Sequence, residues 1–292
     1  MALGERDKFT GQMTTGHEWN GIKELNSPVP RIIWAFLGTA GTFALLWTLL
    51  MPSWPGVSGY FRGLLGVDQR AAVAEAVAEG AVERAAWLDR IASEDFATIA
   101  ADPELMGVVR GTGATLFADN CSGCHGTGGT GNPGYPNIAE APMMWGDEPE
   151  TIAETIRVGI NSAHPETRYA QMLAFGRDHM LDREGIDAVV SYVRSLSDPA
   201  SGEEHPEAVE AGATLFADNC AGCHGADATG MVGTGAPNLT DTFWTYGGDR
   251  QSIRTSVYGG RRGVMPTWED RFGPAEIKLL ALYVLSLREG HE

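Results

Sequence analysis

Two almost identical segments of fourteen residues constrain this chain of 292 residues more than any other feature. Residues 113–126 read GATLFADNCSGCHG and residues 212–225 read GATLFADNCAGCHG, so thirteen of the fourteen positions agree. After each segment the same parts recur in the same order: Pro-Asn, tryptophan, Ile-Arg, methionine and Tyr-Val. A repeated order of parts over about 90 residues indicates two copies of one domain, and the acidic residues 197–207 form the expected linker.

Each segment contains the pattern Cys-x-x-Cys-His, which accounts for all four cysteines of the chain. The pattern comprises Cys121, Cys124 and His125 in the first segment and Cys220, Cys223 and His224 in the second. This spacing is the attachment signature of c-type haem, in which both thiols bind the porphyrin and the histidine binds the iron. A four-thiolate zinc site is disfavoured by the 95 residues between the cysteine pairs, and a thioredoxin-like pair lacks its β–α–β context. The sequence therefore predicts two covalently bound haems c.

A methionine is the expected second axial ligand of each iron, because histidine and methionine together saturate the metal and favour electron transfer. The candidates are Met143, Met144, Met172 and Met180 after the first pattern and Met231 and Met265 after the second. Only Met172 and Met265 align with each other, and each has an aromatic residue three positions later. The predicted metal ligands are therefore His125, Met172, His224 and Met265.

The assignment of these methionines has one alternative and one open question. Met180 is the alternative for the first haem, since Met172 lacks the proline that follows Met265. The sequence leaves open which haem each methionine serves, because a methionine could reach the iron of the other copy. The carbonyls of Pro136 and Pro237 are the expected acceptors for the second ring nitrogen of each histidine.

Residues 32–51, IIWAFLGTAGTFALLWTLLM, form a run of 20 residues without a charge. As a helix this run spans about 30 Å, the thickness of the hydrocarbon core of a membrane, and tryptophans lie near both ends. A buried core helix and a cleavable signal peptide are the alternatives, but the 31 mostly polar residues in front argue against a signal peptide. Because haem c is attached on the periplasmic side in bacteria, we expect a cytoplasmic N-terminus and periplasmic haem domains.

The charge of the chain limits its partners. Its net charge of −17, from 38 acidic and 21 basic residues, excludes the basic face that a nucleic-acid-binding protein needs. Residues 110–200 hold 12 acidic and 6 basic side chains and residues 201–292 hold 13 and 7, so each region has a net charge of −6. Such surfaces are expected to steer a basic donor cytochrome, and solubility alone is the alternative interpretation.

Each copy resembles the class I cytochrome c fold in its first helix, its Cys-x-x-Cys-His, its Pro-Asn, its methionine and its final tyrosine-bearing helix. The whole chain resembles a narrower family, the CcoP-type dihaem subunit (subunit III) of cbb3-type cytochrome c oxidase. Residues 17–31 (HEWNGIKELNSPVPR), residues 54–60 (WPGVSGY) and residues 238–249 (NLTDTFWTYGGD) carry this narrower resemblance.

The resemblance implies a mainly α fold, with one N-terminal transmembrane helix followed by two tandem class I cytochrome c domains. We expect a cytoplasmic segment at 1–31, the transmembrane helix at 32–51, a helical connector at 52–109, and cytochrome c domains at 110–197 and 208–292. The connector is rich in alanine and glutamate with apolar residues at helical spacing.

The resemblance also implies an electron-transfer subunit without a catalytic site of its own, in a proton-translocating oxidase of the bacterial inner membrane. Electrons would arrive from a donor cytochrome c and leave toward the monohaem cytochrome c subunit and the catalytic haem–copper subunit. The alternative is a dihaem cytochrome subunit of a membrane-bound dehydrogenase, which would not need the N-terminal passage. A dihaem peroxidase is disfavoured, since that enzyme needs an iron able to open a coordination position.

Overall fold

The computed structural model describes residues 4–203 and 205–289 of the chain. Residues 1–3 of the expected cytoplasmic segment, residue 204 of the expected linker and residues 290–292 of the second expected domain lie outside the described residues. The chain divides into two bodies, Met1–Ala81 and Val82–Glu292, which we call the N-terminal body and the C-terminal body.

The N-terminal body begins with an antiparallel hairpin that adds to the predicted helices. Strand β1 covers Thr14–Trp19 and strand β2 covers Ile22–Leu25. The connecting residues Asn20 and Gly21 both have left-handed backbones, with φ of 49° and 86°. Asn-Gly is the favoured dipeptide for such a tight turn, because both residues adopt positive φ at low cost. This pair is the sequence signal that indicates the hairpin.

Helix α1, Arg31–Leu50, is the predicted membrane span, displaced by one residue from the expected 32–51. Its mean hydropathy is 1.7 and its apolar window is 0 % buried within the protein, so hydrocarbon can cover it on all sides. Its threonine hydroxyls donate to carbonyls one turn earlier, at 2.7 to 2.9 Å, which satisfies polar groups where water is absent. At its end, Leu64 N and Leu65 N donate to the last helix carbonyls. The length and apolar character expected of a membrane span are confirmed.

The C-terminal body is helical and repeats one order of helices, as expected for two cytochrome c domains. Helix α2, Gln69–Ser93, begins before this body and ends in it. The following helices are α3 Phe96–Ala101, α4 Pro103–Asn120, α5 Ser122–His125, α6 Pro149–Val158, α7 Arg183–Ser197, α8 Ala200–Glu203, α9 Pro206–Asn219, α10 Ala221–His224, α11 Arg250–Gly259 and α12 Pro274–Glu289. Helices α4 to α7 correspond in order to α9 to α12, with α8 lying in the linker.

Helix α4 has 18 residues and begins ahead of the expected first cytochrome c domain. Asp102 caps its N-terminus by accepting hydrogen bonds from Glu104 N and Leu105 N, at 2.9 and 3.2 Å. Pro103 suits the first helical position, because that residue needs no N–H donor. The helix therefore crosses the boundary expected between residues 109 and 110.

The end of the connector packs against the last helix of the chain. Ile91 of α2, Ile99 of α3 and Leu279 of α12 are fully buried in one cluster. Lys278 Nζ donates to Glu94 O at 2.6 Å and so ties α12 to the turn between α2 and α3. Burial of each such aliphatic side chain contributes about 1.5–3 kcal/mol, which makes this part of the connector integral to the C-terminal body.

The terminal helices of the two repeats are exchanged. Helix α4 packs against α12, and α9 packs against α7, so the first helix of each repeat contacts the last helix of the other. Gly113 lies directly against Tyr283, with no room for a Cβ on the glycine. Gly212 lies against the backbone of Ala188 and the side chain of Tyr192, again with no room for a Cβ. An aromatic pair accompanies each contact, with ring centroids 5.6 and 5.2 Å apart.

This exchange produces two haem units that each draw on both repeats. Haem unit 1 consists of α4, α5, α6 and α12, and its core includes Phe117, Ile152, Ile156, Leu280 and Val284. Haem unit 2 consists of α7, α9, α10 and α11, and its core includes Val189, Val193, Phe216, Ile253 and Val257. In both cores the phenylalanine precedes the Cys-x-x-Cys-His of one repeat, and part of the packing opposite it comes from the final helix of the other repeat.

Candidate functional site

The two Cys-x-x-Cys-His patterns form matching turns at the ends of α4 and α9. In the first pattern, Cys124 N and His125 N both donate to Cys121 O, at 3.1 and 2.9 Å. The corresponding bonds of the second pattern measure 3.1 and 3.0 Å. Each turn stops at a glycine with positive φ, Gly126 at 77° and Gly225 at 82°, where the chain leaves the helix without a Cβ clash. The two cysteines and the histidine of each pattern thus share one tight turn.

The two histidines are oriented by backbone carbonyls. His125 Nδ1 lies 3.1 Å from Pro136 O, and His224 Nδ1 lies 3.0 Å from Pro237 O. A ring N–H that donates to a carbonyl leaves the lone pair on Nε2, the nitrogen that is free to bind iron. Burial lowers the pKa of both histidines, so both rings are neutral at neutral pH, as metal binding requires. The expected carbonyl acceptors are confirmed.

No disulfide links the four cysteines, and they lie in two different environments. Cys121 and Cys220 are half-buried, whereas Cys124 and Cys223 are exposed. Burial raises the pKa of Cys121 and of Cys220 to about 11, so these thiols are uncharged at neutral pH. A thioether is also uncharged and apolar, and the surroundings of the inner cysteines therefore suit the product of haem attachment.

Met265 lies in haem unit 1, beside the first pattern. It packs against the core that contains Phe117, and Cys121 packs against the same core. Its backbone is held by Ile160, since Met265 N donates to Ile160 O and Ile160 N donates to Met265 O, both at 2.9 Å. The structure therefore places the methionine of the second repeat against the same core as Cys121 of the first repeat.

Met172 has the reciprocal position in haem unit 2. It packs against the core that contains Phe216, and Cys220 packs against the same core. Met172 N donates to Arg261 O at 2.8 Å, and Arg261 N donates to Met172 O at 3.2 Å. The methionine of the first repeat thus packs against the same core as Cys220 of the second repeat.

The other candidate methionines differ in their surroundings. Met143 is partly buried against the core of haem unit 1, and Met144 accepts a hydrogen bond from Gly233 N through its carbonyl. Met180 and Met231 are 48 % and 43 % exposed. Met180, the alternative ligand for the first haem, therefore lies at the surface.

Two glycines that the sequence analysis did not single out lie close to Met172 and Met265. They allow the extended segments that carry these methionines, which we call the methionine strands, to pack against the ends of helices α6 and α11. Gly159 and Gly260 follow α6 and α11, with φ of 70° and 69°. A Cβ at Gly159 would collide with Met265 O, and one at Gly260 would collide with Met172 O. The signal in the sequence is a glycine at the end of the corresponding helix in both copies.

An arginine precedes each methionine by four positions, a further feature shared by both copies. Arg168 lies 5.0 Å from the centroid of the Trp145 ring and donates from Nη2 to Thr151 O at 3.2 Å. Its Nε is buried without a hydrogen-bond partner, and burial lowers the pKa of the guanidinium. An unpartnered buried N–H costs about 1–3 kcal/mol, so this atom fits a carboxylate of the porphyrin.

The second arginine, Arg261, has a hydrogen-bond partner for its Nε. Arg261 lies 4.2 Å from the centroid of the Tyr246 ring and donates from Nε to Ser256 Oγ at 2.9 Å. It lines a cleft of about 680 Å³ that reaches Pro136 and Pro237 and is formed by both repeats. The cleft therefore borders the two prolines whose carbonyls orient the histidines.

Three family models match the chain in succession. The N-terminal domain of cytochrome oxidase-cbb3, FixP, matches residues 11–58. Cytochrome c matches residues 111–197. Cytochrome C oxidase, cbb3-type, subunit III, matches residues 207–284. The matches cover the N-terminal passage and both repeats, and two cytochrome c domains carry two covalently bound haems c.

Curated relatives match almost the full chain. A cbb3-type cytochrome c oxidase subunit FixP of Bradyrhizobium sp. (strain ORS 278) is 42 % identical and covers 98 % of both chains. A subunit CcoP of Cereibacter sphaeroides is 43 % identical and covers 95 % of both chains. A subunit FixP of Azorhizobium caulinodans is 43 % identical over 97 % of this chain and 96 % of its own. These relatives do not favour the dehydrogenase alternative, and the chain belongs to the CcoP/FixP family of cbb3-type cytochrome c oxidase subunits.

Proposed function

We propose that each haem of this electron-transfer subunit would be held by the histidine of one repeat and the methionine of the other, an arrangement we call crossed ligation. His125 and Met265 would bind the iron of the first haem, and His224 and Met172 the iron of the second. The observation that carries the proposal is the reciprocal placement of the methionines, each in the core beside the other repeat's cysteines. No residue of the chain is assigned a bond-making role on a substrate, so its contribution to oxygen reduction is the delivery of electrons.

The residues of each unit have separate tasks. When bound, a haem supplies an iron that gains and loses one electron. The cysteines anchor the porphyrin, and the carbonyls of Pro136 and Pro237 keep the histidine rings in one orientation. A methionine sulfur favours the reduced iron and raises the potential, while the buried cores around Phe117 and Phe216 exclude water.

The proposed topology places the haem units in the periplasm. Support comes from helix α1, which is long and apolar enough to span a membrane, and from both attachment patterns following it in the chain. Haem c is attached on the periplasmic side in bacteria, so the hairpin of β1 and β2 would lie in the cytoplasm.

The proposed partners are a basic donor cytochrome c, the monohaem cytochrome c subunit and the catalytic haem–copper subunit. Both repeat regions have a net charge of −6, which would attract a basic donor. Asp119 and Asp218, two residues before each pattern, are both exposed at corresponding positions. They would contribute acidic groups close to the haem attachment sites.

The test of crossed ligation uses a chain with one haem. Cys121→Ala with Cys124→Ala leaves only the second attachment pattern, and the remaining haem is examined by its methionine–iron charge-transfer band. Met172→Leu in this background should abolish the band, whereas Met265→Leu should leave it. The opposite result would reject crossing.

A second background lacks the other attachment pattern, so the test can still be made if the first background does not fold. It combines Cys220→Ala and Cys223→Ala, and there Met265→Leu should abolish the band. Met180→Leu is the control, since its half-exposed side chain lies at the surface, and it should leave the band unchanged in both backgrounds.

A further inference from the structure

Asn161 joins the two methionine strands through a single side chain. Its Nδ2 donates to Ala170 O and to Gly263 O, both at 2.7 Å. Ala170 precedes Met172 by two residues, and Gly263 precedes Met265 by two residues. The amide therefore holds corresponding points on both ligand strands, although the strands belong to different repeats.

The Asn161 side chain and the Ala170 backbone exchange two hydrogen bonds. Besides accepting the Nδ2 bond, Ala170 donates from its N–H to Asn161 Oδ1 at 3.2 Å. The Asn161 side chain thus satisfies both polar backbone groups of Ala170 and one of Gly263. An asparagine amide has two donors and one acceptor oxygen, and here both ends of the amide are used.

The backbone conformation and the backbone hydrogen bonds around Asn161 also hold this residue between the two methionine strands. Its φ is 49°, in the left-handed region that few residues other than glycine and asparagine enter. Its neighbour Ile160 makes both backbone bonds to Met265, and Asn161 N donates to Arg168 O at 2.7 Å. The residue is therefore anchored to each methionine strand by side chain and main chain together.

The arrangement has no counterpart in the other repeat. The residue that corresponds to Asn161, next to the paired Arg261, is Arg262, which is exposed. One asparagine consequently serves both strands, and losing it would release them together.

We propose that Asn161 is a positioning residue for both axial methionines, holding Met172 and Met265 in a common register so that their sulfurs stay aligned with the two irons. The proposal rests on the crossed ligation of the proposed function. It assigns Asn161 no contact with the metal, and its effect is exerted through the two strands.

The test is Asn161→Gly, which keeps the left-handed backbone available and removes the side chain with its amide. We expect both one-electron steps of a redox titration to move to lower potential and the methionine–iron band to weaken at both haems. We also expect carbon monoxide to bind both reduced haems in the variant to at least several times the extent seen in the parent chain. A change at one haem alone, or at neither, would overturn the proposal.

Two further variants keep the result interpretable. Asn161→Asp preserves size and turn preference but replaces the two N–H donors by oxygen, and it should also affect both haems if the glycine variant does not fold. Asn132→Gly is the matched control, because Asn132 Nδ2 donates to Gly123 O at 3.2 Å within the first pattern only. It should leave the second haem unchanged.

The leucine variants of Met172 and Met265 separate the two possible failures. If each leucine variant acts on its assigned haem while Asn161→Gly does not act on both, the proposed function stands and the role of Asn161 is rejected. If the leucine variants do not follow the crossed assignment, the proposed function itself fails.

Discussion

Ile160 and Met265 exchange two backbone hydrogen bonds of 2.9 Å, although one belongs to the first repeat and the other to the second. Met172 and Arg261 form the reciprocal pair. Each methionine strand is therefore held by the segment that leaves the middle helix of the opposite repeat. The position of each methionine therefore depends on the backbone of both copies.

Replacement of Gly159 should disturb the first haem selectively. In Gly159→Ala the new Cβ would meet Met265 O, and the positive φ adds strain, so we expect a loss of about 2–4 kcal/mol in the free energy of unfolding. Gly233→Ala is the control, because Gly233 has a φ of 87° but open space around the added Cβ, and it should cost about 1–2 kcal/mol. Denaturant titration and the methionine–iron band measure both effects, and equal losses in the two variants would refute the steric explanation.

Arg168→Gln should lower the potential of the first haem. The substitution removes a buried positive charge with an unpartnered Nε next to Trp145, and a cation near a haem favours the reduced, less positive iron. Arg261→Gln provides the comparison, because that Nε already donates to Ser256, and it should leave the first haem unchanged. Potentiometry that resolves the two steps gives the answer. An unchanged first step in Arg168→Gln would show that Arg168 does not face the porphyrin.

Acid should weaken an ion-pair network that joins the repeats. Glu269 accepts hydrogen bonds from His164 Nε2 at 2.7 Å and from Arg157 Nη1 at 3.0 Å, and these bonds lower its pKa below the ordinary 4.5. A lowered carboxyl pKa stabilises the fold above the ordinary value, and this stability is lost as the pH falls through the lowered value. Glu269→Gln should therefore reduce Tm at about pH 7 and reduce it by less at about pH 3.

The control for this prediction is the exposed neighbour Asp270. Asp270→Asn should change Tm by the same small amount at both pH values. If Glu269→Gln behaved in the same way as Asp270→Asn across the pH range, the network would have no measurable role in stability.

Reduction by a basic cytochrome c should slow steeply as ionic strength rises. The net charge of −6 in each repeat region provides the attraction, and salt at 0.1 M screens most of it at distances beyond about 10 Å. The double variant Asp119→Asn with Asp218→Asn should flatten this dependence, whereas Glu75→Gln with Glu79→Gln on helix α2 should not. Stopped-flow reduction at several salt concentrations measures the slope, and a flat profile in the parent chain would exclude steering.

The features that sequence predicted well are those carried by a local pattern. The cysteine spacing specifies a tight turn, and the two Pro-Asn carbonyls lie where the histidines need acceptors. The uncharged run specifies helix α1 to within one residue. These signals depend on neighbouring residues alone, and no knowledge of distant contacts is needed to read them.

The exchange of helices could not be predicted for the opposite reason. Gly113 and Gly212 have the same residue type, and so do their partners Tyr283 and Tyr192, so the helix faces allow pairing within a copy as well as between copies. Connection lengths and the loop conformations decide between them, and neither is encoded in the helix faces. Asn161 carries no signal for the same reason, since its two acceptors are backbone carbonyls.

The pairing of helices also determines the order in which the two haem units can form. All parts of haem unit 2, from Met172 through α7, α9 and α10 to the end of α11, lie in one continuous stretch of chain. Haem unit 1 instead takes α4 and α6 from before that stretch, and Met265 and α12 from after it. One unit is therefore nested within the other, and its contacts close over shorter loops, which costs less chain entropy. As the chain is synthesised from its N-terminus, the second haem site can close while the first still waits for the last helix.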